Sequence, residues 1–273
     1  MPPLAYTWAP IIRGPICPPH MSSRPFYAEY AWAFDLLIDR PVQQECRAIA
    51  AWLVERGVVL GATLLDAGCG TGRYAMELSR HGYVVHGIDR SPELVAQALR
   101  SADSAASSAS FTVGDLLEGP LSRYDAILCR GVLNDFLGES ARASVFETFN
   151  RALRPNGVLV LDVREWTGTA ARKAREPIFR KTVATERGAL TFTSVTELNA
   201  NDRQLVLTER HTLNDHGHER SSDYRFVMQC WTRDELDSYL TRSGFVAPTY
   251  FGAYDADVAV GTTDRLVAVA QRA

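Results

Sequence analysis

The chain has 273 residues, 29 Lys plus Arg against 32 Asp plus Glu, a net charge of −3 and 46% hydrophobic residues. This is the composition of a globular protein large enough for one domain with a sizeable insert. It lacks the cationic surplus of a protein built around the nucleic-acid backbone, so no nucleic-acid partner is expected. No apolar run approaches a bilayer span: residues 57–65, nearly uncharged, reach about half of one. No membrane partner is expected either.

Residues 1–25 are rich in proline and have neither the basic start nor the continuous apolar run of a secretory signal. They read as a flexible arm, with Met21 as an alternative start. Cys17, Cys46, Cys69, Cys129 and Cys230 form no CxxC pair, which suits a reducing compartment and predicts a cytoplasmic protein.

In chain order, the aromatic and aliphatic spacing predicts a helix over 26–38 and a second over 42–56, ended by Gly57. Strands and helices then alternate: strand 62–66, helix 72–81, strand 83–88, helix 92–100 capped by Ser91, a loose Ser/Ala-rich connection at 101–110, strands 111–113 and 124–129, helix 140–153 and strand 157–163. This alternation predicts an α/β fold, a doubly wound Rossmann-like parallel sheet whose ligand sits beyond the carboxyl ends of the strands. After Val163 the period drops to two. Segments 178–185, 190–198, 204–213 and 219–228, separated by turn residues, predict an inserted antiparallel β meander. The α/β pattern resumes with helix 232–243 and strands 245–250 and 264–271. The expected organisation is an arm at 1–25, a core of 26–174 plus 231–273 with two N-terminal helices, and a cap insert at 175–230.

The densest signal is Asp66-Ala67-Gly68-Cys69-Gly70-Thr71-Gly72. Glycines serve where the backbone turns with positive φ or a ligand touches the main chain. The spacing departs from the dinucleotide fingerprint, and a carboxylate before the turn would repel a pyrophosphate but suit a cationic ligand. Asp89 ends the second strand, where it can accept from ribose hydroxyls. Asp115 follows the third, where it can accept from an adenine amine. Three acids at successive strand ends suggest a pocket for a nucleoside carrying an amino acid.

These residues, with the Leu153-Arg154-Pro155-Asn156-Gly157 turn, resemble the class I S-adenosylmethionine-dependent methyltransferases over residues 60–165 and again from Trp231 onward. The resemblance implies transfer of a methyl group from S-adenosylmethionine, leaving S-adenosylhomocysteine. It places Asp66, Gly68, Cys69, Gly70 and Gly72 at the methionyl part, Asp89 and Arg90 at the ribose, Asp115 and Leu116 at the adenine, and Cys129, Arg130 and Leu133 near the methyl group. Tyr27 and Tyr30 resemble an aromatic lid, which places Tyr30 at the cofactor. An antiparallel insert after the fifth strand resembles the small-molecule members, such as the sugar-amine and glycine/sarcosine N-methyltransferases. In those it shapes the acceptor site and sometimes a dimer contact, which leaves a homodimer open. The Cys129-Arg130-Gly131 run lacks the motifs of base-methylating members.

The candidate catalytic residues are His211 and Glu209, two apart on one strand face, and Asn134 and Asp135 after the fourth strand. His211 is the first choice as a base because its reference pKa lies near working pH. His211, Asp215, His216 and His218 lack the spacing of a metal site, so no metal is expected. Two other readings stay open: an NAD(P)-dependent oxidoreductase and a non-catalytic nucleoside-binding protein.

Overall fold

The computed structural model describes residues 24–118 and 123–273. Of the expected arm it describes Arg24 and Pro25; Met21 and the rest of the arm lie outside the described residues. Among the described residues no helix is long and apolar enough to cross a membrane.

The chain begins with two short 3-10 turns, Pro25–Tyr27 and Ala31–Ala33, before helix α1 (Phe34–Leu37) and helix α2 (Val42–Glu55). The single helix expected over 26–38 is therefore broken. Its aromatic residues do not share one helical stripe; Phe26, Tyr30 and Leu37 instead pack into the inserted sheet beside Leu190, Phe192 and Leu213.

The core elements follow as β1 (Thr63–Ala67), α3 (Arg73–Arg80), β2 (Val84–Asp89), α4 (Pro92–Ser104), β3 (Ser110–Val113), β4 (Tyr124–Arg130), α5 (Glu139–Ala152), β5 (Leu153–Arg164) and α6 (Trp166–Arg175). The insert contributes β6 (Ile178–Thr185), β7 (Gly188–Asn199), β8 (Gln204–Asp215) and β9 (His218–Gln229). The chain closes with α7 (Arg233–Arg242), β10 (Phe245–Phe251) and β11 (Arg265–Arg272).

The main sheet runs in the order β10-β11-β5-β4-β1-β2-β3. Strands β1 to β5 are parallel, whereas β11 is antiparallel to both β5 and β10. The sheet is thus mixed at one edge. Successive residues face opposite layers: Leu64, Leu128 and Val160 join one core with Ile49, Trp52 and Leu53, while Leu65, Ile127 and Leu159 join the other with Phe146, Phe149 and Trp231. This two-sided burial explains why the strands read as continuous apolar runs. Each fully buried Leu or Ile contributes about 2 kcal/mol.

Helix α4 is capped by Ser91, whose Oγ accepts from the Leu94 N–H at 3.0 Å. It extends beyond residue 100 because Ala98 and Ala102 continue its buried face. Helix α7 starts with a reciprocal capping box between Thr232 and Glu235. Helix α6 was not expected. Its only buried side chains are Thr169 and Lys173, so no apolar period marks it, and its start is set by Glu165, which accepts from the Gly168 N–H at 2.6 Å.

The insert is one four-stranded antiparallel sheet in the order β6-β7-β8-β9. His216 and Gly217 close the β8–β9 hairpin with φ of 49° and 90°, the two positive angles that a two-residue turn matched to strand twist requires. One face packs on the N-terminal segment and on the turn Leu133–Asp135 that follows β4. The sheet therefore lies over the carboxyl end of the parallel strands.

Candidate active site

Gly68, Gly70 and Gly72 all adopt left-handed backbone, with φ of 79°, 55° and 78°, so side chains there would be strained. A Cβ at Gly68 would lie 2.3 Å from Val132 Cγ2, and one at Gly72 would lie 2.6 Å from the Phe111 ring. These two glycines permit close packing. At Gly70 a Cβ would meet nothing within 4 Å, so this part of the turn faces open space.

Asp89 fixes that turn. Its Oδ2 accepts from the Gly70 N–H and its Oδ1 from the Ser91 N–H, both at 2.9 Å. Burial nevertheless holds its carboxyl above the ordinary range. Asp115 Oδ1 accepts from the Leu117 N–H at 2.9 Å, and its other oxygen faces Arg90 Nε at 3.6 Å. Leu116 beside it is buried. Arg90 thus pairs with the acid that follows β3.

Asp66 is 3% exposed. Its Oδ2 has no hydrogen-bond partner among the described residues. Burial pushes its pKa up to about 7, with nearby Asp89 adding to the rise and Arg130 opposing it. An orphaned buried carboxylate oxygen is costly unless something donates to it. A ligand bearing a positive charge or an ammonium group fits that place. Cys69 and Cys129 are both buried with thiols pushed up by desolvation, so they line the site as small apolar groups.

The N-terminal segment is strapped across the turn. Thr71 Oγ1 donates to Asp35 at 2.8 Å, Arg73 pairs with the same carboxylate at 2.9 Å, and Ser91 Oγ donates to the Tyr27 carbonyl at 2.5 Å. Burial pushes the Tyr27 hydroxyl up to about 12, with Asp135, Glu209 and Asp89 adding to the rise and Arg24 opposing it. Tyr27 therefore lies within the fields of Asp89, Asp135 and Glu209. Tyr30, expected at the cofactor, instead stacks on His211 with ring centroids 4.5 Å apart and planes 8° from parallel. Its hydroxyl lies beside Ser222 of β9 and Glu29 of its own segment.

Beyond β4, Arg130 pairs with Glu45 at 2.6 Å and lies 3.7 Å from Asp162, between the rings of Tyr74 and Tyr254. It belongs to a buried ionic network that ties α2 to the sheet. Asp162 also accepts from the Gly131 N–H at 2.6 Å and pairs with Arg265, so the exit of β4 is held rigidly. Asn134, expected to touch the acceptor, accepts the Arg164 N–H on Oδ1 at 2.9 Å, which fixes the turn against β5. Asp135 differs. Its Oδ1 is buried without a hydrogen-bond partner, and burial raises its pKa to about 6.

Glu209 and His211 project from the inner face of β8 as the alternation requires, and both are buried. Their surroundings correct the expected roles. Glu209 is held by Arg24 through contacts of 2.6 and 2.9 Å. His211 is boxed by Phe26, Tyr30 and Phe192, with neither ring nitrogen hydrogen-bonded among the described residues. Burial and then Arg24 push its pKa down to about 4, which makes it a weak base. Arg24, absent from the expected site, also stacks over Tyr27 and Phe226 at 4.3 and 4.1 Å. Among the described residues no group of three or more His, Cys, Asp or Glu is arranged to hold a metal.

Residues 64–157 match the family model described as a methyltransferase domain. This part of the chain is a methyltransferase domain. The match ends in the turn leading into the apolar part of β5, so it contains Asp66, the glycine turn, Asp89, Asp115 and the residues after β4. Over 106 residues the chain is 32% identical to a magnesium-protoporphyrin O-methyltransferase of Synechocystis, covering 38% of this chain and 46% of that protein. Over 115 residues it is 36% identical to a glycine/sarcosine N-methyltransferase of Halorhodospira halochloris, covering 40% and 42%. The chain thus spans about half the length of such curated relatives. The fold as a whole is similar to that of an amino pentose methyltransferase from Micromonospora echinaspora, with a TM-score of 0.66, 22% identity, and 90% and 97% of the two chains covered. The fold likeness therefore extends well beyond the matched residues 64–157.

Proposed function

We propose that the protein transfers a methyl group from S-adenosylmethionine to a small-molecule acceptor. The observation that carries this reading is the orphaned, buried Oδ2 of Asp66, set in a methyltransferase domain beside Asp89 and Asp115 at the next strand ends. When bound, S-adenosylmethionine supplies a sulfonium-activated methyl carbon open to in-line displacement. In this proposal Asp66 accepts from the ammonium of the methionyl part, Gly70 lets that part approach the main chain, and Asp89 accepts from the ribose. Asp115 and the Leu116 amide take the adenine, with Cys129 and Arg130 bordering the methionyl side.

The acceptor enters between the residues after β4 and the inner face of the cap, contacting Asp135 and Tyr27 beneath Glu209. The work of the chain there is alignment and exclusion of water, which can contribute 7 kcal/mol or roughly that to a displacement. His211 serves as an aromatic wall. The named activities of the relatives, on magnesium-protoporphyrin and on glycine and sarcosine, support an acceptor of metabolite size. A dinucleotide is disfavoured because the Asp66 carboxylate lies where a pyrophosphate would approach.

The test is release of S-adenosylhomocysteine over a panel of small amines, alcohols and carboxylates. Turnover with at least one member, lost in Asp89→Ala, is expected. Saturable S-adenosylmethionine binding with no turnover of any class would favour a nucleoside-binding protein instead.

A further inference from the structure

Resting on the methyltransferase reading, we infer that the acceptor is a cationic aliphatic amine, held by the unpartnered Oδ1 of Asp135 at the junction of the β4 exit, the N-terminal strap and the cap. The charges around Asp135 can be followed pair by pair. Three guanidinium groups act on it, those of Arg24, Arg90 and Arg164, and one carboxylate, Glu209. Each guanidinium already has a carboxylate of its own: Arg24 pairs with Glu209 at 2.6 Å, Arg90 with Asp115 at 3.6 Å and Arg164 with Asp264 at 3.2 Å. Asp135 is left over. Its Oδ1 is buried and accepts no hydrogen bond among the described residues.

The remaining groups facing this place do not supply the missing charge. Tyr27 is neutral and His211 is held neutral by its aromatic box. Asp89, on the cofactor side, adds a further negative charge and has its oxygens on the Gly70 and Ser91 amides. An alkylammonium would supply both a positive charge and a donor, giving a charge-assisted hydrogen bond at a site that lacks one. A neutral hydroxyl would leave the carboxylate without a counter-charge, and a carboxylate acceptor would stand beside Asp135, Asp89 and Glu209.

The chemistry closes on the same residue. The ammonium gives one proton to Asp135 Oδ1, the freed nitrogen lone pair forms the N–C bond to the methyl group, and the C–S bond breaks with its pair left on sulfur. The products are a methylated amine and S-adenosylhomocysteine, and the proton on Asp135 passes to solvent as they leave.

The test uses the full chain loaded with S-adenosylhomocysteine, whose own binding is measured first by calorimetry. Three probes of one skeleton follow, cyclohexylamine, cyclohexanol and cyclohexanecarboxylate, read by saturation-transfer NMR. Saturable binding of the amine alone is expected, weakened at least tenfold in Asp135→Asn and retained within about threefold in Asp135→Glu, with melting temperatures recorded for both variants. Tighter binding of the alcohol or the carboxylate, no binding of the amine, or equal amine binding by Asp135→Asn would overturn the inference while leaving the methyltransferase reading intact. Failure of S-adenosylhomocysteine to bind would overturn both.

Discussion

Arg24 and Glu209, 185 positions apart in the chain, meet in a two-point contact of 2.6 and 2.9 Å, with their side chains only 11% and 4% exposed. This pair joins the start of the described chain to the middle strand pair of the cap. It closes the strap over the glycine turn, because Asp35 and Tyr27 on the same segment are bonded to Thr71, Arg73 and Ser91.

Arg24→Ala should lower stability by about 3 kcal/mol, because the variant leaves Glu209 buried without its counter-charge. Deletion of residues 1–25 should do the same, whereas an arm with no structural part would give no change. Chemical denaturation measures both. Arg24→Met combined with Glu209→Met should recover most of the loss, since neither charge is then left alone.

Asp66→Asn should stabilise the ligand-free protein and weaken S-adenosylmethionine binding together. Burial raises the Asp66 carboxyl to about 7, above an unfolded value of about 3.9. The folded chain therefore prefers the protonated form: the associated stability is full below about pH 4 and lost as pH rises to about 7. At pH 7.5 the amide escapes that loss, worth roughly 4 kcal/mol, and the melting temperature should rise by several degrees. An unchanged melting temperature would show that the ionised carboxylate is already satisfied.

His211 gives a pH effect of the opposite sign. Its folded pKa of about 4 lies below the unfolded value of about 6.5. The unfolded chain takes up its proton first, so this stability is full above about pH 6.5 and is lost as pH falls toward 4, by roughly 1.4 kcal/mol per unit. The difference between the natural chain and His211→Phe, followed by urea unfolding from pH 7.5 to 4.5, should show that slope. A flat difference would place the imidazole in contact with water. In turnover, His211→Phe should leave the acid limb of the pH profile in place, because a wall and not a base has been changed.

Asp89→Ala should weaken S-adenosylmethionine binding by about 1.5 to 3 kcal/mol, the range for losing hydrogen bonds to a charged group. Asp89 also holds the Gly70 N–H, so the loss should include a looser turn, visible as faster amide exchange at Gly70. Unchanged affinity in titration calorimetry would remove Asp89 from the ribose site.

The sheet, the cap and the placing of acids at the strand ends were legible because their signals are local. An acid, three glycines and a helix start lie within a few positions, and strand alternation marks the cap from one turn to the next. What escaped depends on distance or on weak patterning. Arg24 sits in a proline-rich run, and only folding brings it to Glu209. Helix α6 carries no apolar stripe. Tyr27 and Tyr30 look alike in sequence, yet the carbonyl of one accepts from Ser91 while its hydroxyl feels Asp135, Glu209 and Asp89, and the ring of the other stacks on His211. The surroundings of His211 escaped for the same reason: alternation shows which face a side chain takes, but the aromatic box around it is closed by the N-terminal segment and β7.

The central claim is that the three strand-end acids hold S-adenosylmethionine. Titration calorimetry of the purified chain with S-adenosylmethionine, and in parallel with NAD and NADP, tests it most directly. The account predicts saturable binding of one S-adenosylmethionine per chain, lost in Asp66→Ala, and no heat from either dinucleotide. Binding of a dinucleotide in its place, or S-adenosylmethionine binding unaffected by Asp66→Ala, would contradict it.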